Sequence, residues 1–158
     1  MSARIVPDYR VLARELAAER ARGRTLALAN GCFDVLHVGH VRLLAEAQAH
    51  ADLLVVALNS DASARALKGA GRPYVPLAER MEIVAALAGV DFVTSFEEGT
   101  AGALIEALRP SVQIKGTDHS PETVPEREQV ERHGGRIVIC GDAKAHSSSE
   151  LVKRLKPR

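Results

Sequence analysis

Five short runs of mostly apolar residues, each separated from the next by a helical pattern, leave this chain few architectures. The runs are residues 26–29 (LALA), 53–58 (LLVVAL), 92–95 (FVTS), 112–114 (VQI) and 136–140 (RIVIC). None shows the clear polar–apolar alternation of a strand with one face in water. Continuous apolar runs belong to parallel strands covered on both faces. Between them, 41–49, 77–87 and 103–108 carry apolar residues at helical spacing. Residues 125–133 read as a polar surface helix closed by Gly134 and Gly135, and 151–155 continue a C-terminal helix. The alternation predicts an α/β fold: one Rossmann-like, doubly wound domain with a roughly five-stranded parallel sheet. A chain of 158 residues holds one such domain. Tyr9 to Arg22, stopped by Gly23, reads as an extra amphipathic helix. Residues 1–23 are therefore expected as an added N-terminal helix and 24–156 as the core.

Composition narrows the partners. The formal net charge is +1, aromatics make up 3% and tryptophan is absent. There is thus no basic field for nucleic acid or an anionic membrane, and no stacking platform for single strands. No apolar run approaches a membrane span, and MSARIVPDYR lacks the apolar core of a signal peptide. Cys32 and Cys140 are the two cysteines, too few for a disulfide framework. A cytoplasmic location is expected.

In doubly wound sheets, ligands bind beyond the carboxyl ends of the strands. The loop after the first run reads Asn30-Gly31-Cys32-Phe33-Asp34-Val35-Leu36-His37-Val38-Gly39-His40 and leads into a helix. Gly31 and Gly39 allow close backbone approach. A helix start near Gly39 offers free N–H groups and a positive dipole end, which suits phosphate. His37 and His40, three apart, put two imidazoles beside that terminus. Such donors stabilise charge that develops on a phosphorus under attack. Zinc held by Cys32, His37 and His40 is a rival reading, but no second Cys/His pair stands at zinc-like spacing, so no protein metal site is expected. Asp34 serves equally well as a brace for the loop, and Phe33 as core.

Three more loops follow apolar runs. Asn59-Ser60-Asp61 leads to Leu67-Lys68-Gly69-Ala70-Gly71-Arg72-Pro73, read as a mobile Gly-rich loop whose Lys68 and Arg72 offset phosphate charge. Arg80 lies on the helix beyond. Lys115-Gly116-Thr117-Asp118-His119 ends the fourth run, with Lys115 facing the same crevice. His146-Ser147-Ser148-Ser149-Glu150 contains an [ST]-x-x-E capping box, which also leaves amides at a helix start for a phosphate. The P-loop and the dinucleotide fingerprint are both absent.

The pattern from Gly31 through Phe33, Asp34 and His37 to Gly39-His40 resembles the signature of the HxGH nucleotidyltransferase superfamily, close to the cytidylyltransferases. With NSDAS, LKGAGRP, PLAERM, VDFVTSFEE, KGTDHSPETVPER and HSSSELV, the chain from about Thr25 to Leu155 is similar to the adenylyltransferases that make ADP-heptose from D-glycero-β-D-manno-heptose 1-phosphate. The resemblance implies catalytic His37, His40 and Lys68. It implies nucleotide contacts at Asn30, Gly31, Cys32, Phe33, Gly39, Asp61, Lys115, Gly116, Asp118, Ser147, Ser148 and Ser149. Arg72 and Arg80 would serve the substrate phosphate, and Mg²⁺ would accompany ATP. The partners implied are ATP and a sugar 1-phosphate, with a separate sugar kinase as supplier; the extra N-terminal helix offers a contact for a homo-oligomer, such as a dimer. This chain departs from the pattern at His119, where Tyr is common, at Ser147–Ser149, where an STT-like triplet is common, and in the VPER stretch. A cytidylyltransferase acting on glycerol 3-phosphate, and a catalytically silent nucleotide-binding domain, stand as alternatives.

Overall fold

A computed structural model describes residues 2–143 and 146–157. The sheet has six parallel strands: β1 (Arg4–Asp8), β2 (Leu26–Gly31), β3 (Leu53–Asn59), β4 (Phe92–Phe96), β5 (Val112–Lys115) and β6 (Arg136–Ile139). They lie in the order β1-β4-β3-β2-β5-β6. The sequence reading of five strands therefore falls one short. Residues 1–23 are also more than an added helix. Arg4 and Ile5 pair with Phe92 and Val93, so the N-terminal segment supplies an edge strand before helix α1 (Tyr9–Ala21) begins.

The remaining helices are α2 (Val38–Ala47), α3 (Asp61–Lys68), α4 (Leu77–Ala85), α5 (Gly102–Leu108), α6 (Arg127–Arg132) and α7 (Ser148–Leu155). The apolar runs do alternate, but both faces are dry. Ala27, Ala29, Leu54, Val56, Leu58, Val112 and Ile114 meet Leu44 of α2 and Met81, Val84 and Ala85 of α4. On the other face, Leu26, Leu28, Leu53, Val55 and Ala57 meet Leu12 and Leu16 of α1 and Leu104, Ile105 and Leu108 of α5. Each buried leucine, isoleucine, valine or methionine among them stabilises the fold by about 1.5–3 kcal/mol before entropy is set against it. The apolar side of α1 is thus packed inside the chain. No helix among the described residues is long and apolar enough to cross a membrane.

From β2 the chain runs outward through β3 to β4, then returns to the other side of β2 as β5. The order reverses there, which makes the carboxyl ends of β2 and β5 the switch point and opens a crevice between their loops.

Candidate active site

The β2–α2 loop is held in an uncommon shape. Phe33 and Val35 have φ of 50° and 53°, a left-handed conformation that costs non-glycine residues about 1–3 kcal/mol each. Asp34, 2% exposed, is what fixes it. Its carboxylate accepts from the amides of Tyr74 at 2.9 Å and Val75 at 3.0 Å, and from Arg72 Nε at 2.9 Å. Burial pushes the Asp34 carboxyl up, but the Tyr74 and Val75 amides and Arg72 outweigh it and hold the group below its ordinary value. Asp34 is therefore a brace. From the far side, Ser148 Oγ donates to the carbonyls of Asp34 at 2.6 Å and Val35 at 3.2 Å, and latches α7 to the same loop.

The two histidines begin α2 as a reciprocal cap. His37 Nδ1 accepts from the Gly39 amide at 3.1 Å, and His40 Nδ1 accepts from the His37 amide at 3.3 Å. An Nδ1 that accepts carries no proton, so these bonds assign both rings as neutral imidazoles with the proton on Nε2. The pair is thereby built as two Nε2–H donors with ring centroids 4.0 Å apart. Gly39 is obligatory between them. A Cβ there would lie 2.8 Å from His37 Cε1 and 2.9 Å from His37 Nδ1, where no real Cβ fits.

Burial, the neighbouring His37 and the Lys68 charge push His40 down to about 4, and burial and His146 lower His37. A histidine lowered on folding stabilises the fold fully above its unfolded value near 6.5, and that stability is lost as pH falls toward about 4. Urea midpoints are therefore expected to fall more steeply between about pH 7 and pH 4 in the parent protein than in His40→Gln. Equal slopes would show that His40 titrates as it does in an unfolded chain.

These residues line one cleft of about 290 Å³. Of the residues singled out from sequence, it gathers Cys32, Phe33, His37, Gly39, His40, Lys68 and Arg72 with Gly116, Asp118 and Ser147–Ser149. Lys68 is the last residue of α3 and does not sit on a loop; Gly69, at φ 101°, ends that helix. Ser147 Oγ caps α7 by accepting from the Glu150 amide at 3.1 Å, so that the start of this helix faces the cleft along with the start of α2.

Five expected residues stand elsewhere. Arg80 is 1% exposed and each of its three guanidinium nitrogens is engaged by protein: Nε on the Val75 carbonyl, Nη1 on the carbonyls of Cys32 and Asn59, Nη2 on Asp61 Oδ1 at 2.7 Å. It is a buried tie between three loops and is not a phosphate ligand. Asp61 accepts from Arg80 and from the Leu77 amide. Lys115 pairs with Glu126 at 3.8 Å. Asn30 accepts from Gln113 Nε2 at 3.1 Å, and Gly31 packs under the Phe33 ring. None of these five lines the cleft.

The cleft also takes in Thr117, Gly141, Asp142, Ala143 and His146, which the sequence reading did not single out as site residues. His146 lies 6.2 Å from His37, ring to ring. Its signal was its place beside the capping serine, and that of Thr117 its place in the loop after β5; Gly141, Asp142 and Ala143 leave none, because they are loop residues brought in by β6. Cys32, His37 and His40 do not converge as a metal-ligand group.

Residues 28–154 match the protein-family model described as cytidylyltransferase-like. The chain belongs to the cytidylyltransferase-like family. Among curated members, it is 49% identical over 151 residues to the bifunctional protein HldE of Geotalea uraniireducens, covering 96% of this chain and 31% of that protein. It is 46% identical to the bifunctional protein HldE of Syntrophotalea carbinolica, covering 90% and 29%. The chain thus spans about a third of the length of the relatives it matches. A solved lipopolysaccharide core biosynthesis protein from Thermoplasma volcanium superposes with a TM-score of 0.67 at 25% identity, over 77% of this chain and all of that one.

Proposed function

We propose that this cytidylyltransferase-like domain transfers AMP from ATP to D-glycero-D-manno-heptose 1-phosphate and releases pyrophosphate. The observation that carries this reading is the convergence in one cleft of two neutral Nε2–H imidazoles, two helix starts and Lys68. A sugar-phosphate oxygen attacks the α-phosphorus of ATP in line; a P–O bond to it forms as the bond to the pyrophosphate oxygen breaks. His37 and His40 donate to the oxygens that gain charge, and Lys68 offsets the triphosphate. The acceptor phosphate is already ionised near neutral pH, so no general base is required. The amides at Ser147–Ser149 and the guanidinium of Arg72, with its Nε fixed by Asp34, complete the phosphate contacts. Backbone groups of Gly116 to Asp118 are the natural readers of the base.

Mg²⁺ fits this cleft as a partner of the triphosphate. The cleft's carboxylates are largely committed, Asp34 to Arg72 and Asp142 to Arg42, and they form no ligand group among the described residues. The ion would be held chiefly by phosphate oxygens and water, as this hard cation commonly is. The HldE relatives, which cover 96% and 90% of this chain, support the acceptor that the sequence resemblance implies. We place the reaction in the cytoplasm, where ATP is supplied and where free thiols such as Cys32 and Cys140 persist.

The family's description, cytidylyltransferase-like, favours CTP as the nucleotide of one second reading, whose acceptor is glycerol 3-phosphate. Specificity constants for ATP and CTP with each acceptor separate the two. ATP with the heptose phosphate is expected to exceed every other pair. CTP with glycerol 3-phosphate in first place would overturn the choice of substrates while leaving the transfer chemistry in place.

A further inference from the structure

Arg42, Glu46 and His50 stand four residues apart along α2 and the short 3-10 turn after it, so they share one helix face. The segment leaving β6 runs along that face in reverse order. Asp142 pairs with Arg42, the Gly141 amide donates to Glu46 Oε2 at 2.7 Å, and Cys140 comes to the position of His50. The two backbones pass closely. A Cβ at Gly141 would lie 3.4 Å from that of Leu43, and the φ of 91° there favours glycine. The register leaves a carboxylate, an imidazole and a thiol with ligand atoms all within 4.8 Å of one another. The sulfur is at the closed end, with Cys140 1% exposed, while half-buried His50 and exposed Glu46 open to solvent.

We propose that Glu46, His50 and Cys140 bind one zinc ion, with water as the fourth ligand. Zinc takes four ligands from these donor types, whereas the hard cations Mg²⁺ and Ca²⁺ avoid sulfur. Zinc bonds of about 2.0–2.3 Å require the three side chains to close modestly on the ion. Glu46 is already oriented by the Gly141 amide, the kind of outer hydrogen bond that steadies a ligating carboxylate. Binding takes the thiol proton to solvent and leaves the thiolate on zinc, so no oxidant or reductant takes part. The ion pins the exit of β6, whose next residues line the cleft, to the helix whose other end carries His37 and His40. This inference does not depend on the identity of the acceptor or the base.

The test is metal content. The full chain, kept reduced, is given one equivalent of zinc and dialysed without chelator; zinc is then counted, and its ligands are read by X-ray absorption. About one zinc per chain with one sulfur ligand is expected. His50→Ala and Cys140→Ser are each expected to bind at least about tenfold more weakly, while His37→Ala keeps the metal. Zinc should raise the thermal midpoint of the parent and not of His50→Ala. No retained zinc, equal retention in both ligand variants, or loss of zinc in His37→Ala would overturn the site.

Discussion

Replacing His40 with alanine is expected to lower turnover by two or more orders of magnitude, about what the loss of one preorganised donor to a developing oxyanion costs. Affinity for ATP should change far less, because the cleft retains Lys68, the start of α7 and the rest of the α2 start. The imidazole has a structural part as well, since its Nδ1 accepts from the His37 amide. Losing that cap costs about 1 kcal/mol, which a domain of this size tolerates. Urea midpoints measured beside turnover keep the two parts separate. Turnover within threefold of the parent, in a folded variant, would remove His40 from the chemistry.

Arg80→Ala is expected to act on the fold and hardly at all on substrate binding. The side chain ties the carbonyls of Cys32 and Val75, in loops beside the cleft, to the Asn59 carbonyl at the end of β3 and the Asp61 carboxylate at the start of α3. Its removal leaves those acceptors without their donor and opens a cavity beneath the β2–α2 loop. Breaking such a buried charged network costs about 3–5 kcal/mol. Arg80→Lys should recover little of it, because an ammonium cannot reproduce the planar fork. The check is the urea midpoint together with the Michaelis constant for the phosphorylated acceptor in the folded fraction. A midpoint near the parent's, with a tenfold weaker acceptor, would return Arg80 to the phosphate.

The contrast between His40 and Arg80 shows what can be read from sequence alone. Strands β2 to β5 were legible because both faces are largely buried, and burial writes itself as apolar runs; edge strand β6 was legible because the half-buried Ile137, Val138 and Ile139 still form such a run. Edge strand β1 was not: in Arg4–Asp8 only Val6 is buried, and Pro7 is tolerated there because an edge strand needs fewer backbone donors. Helix α3 carried a signal that went unused, Ser60 capping the Ser63 amide, and it moved Lys68 from an expected loop to a helix end. The histidine pair was legible because its spacing is itself a local cap. Arg80 was misread because a lone arginine on an amphipathic helix is usually at the surface. Its partners, Cys32, Asn59 and Val75, meet it only in three dimensions. The residues after β6 were missed for the same reason, since the register of that segment along α2 depends on tertiary pairing that no period in the sequence records.

The most direct measurement follows the oxygen atoms. Heptose 1-phosphate labelled with heavy oxygen on its phosphate is incubated with unlabelled ATP and Mg²⁺, and both products are read by mass spectrometry. In-line attack by the sugar phosphate on the α-phosphorus retains every labelled oxygen in ADP-heptose and none in pyrophosphate. Label in pyrophosphate, or no ADP-heptose under conditions in which the protein is folded and binds ATP, would contradict the transfer of AMP to this acceptor.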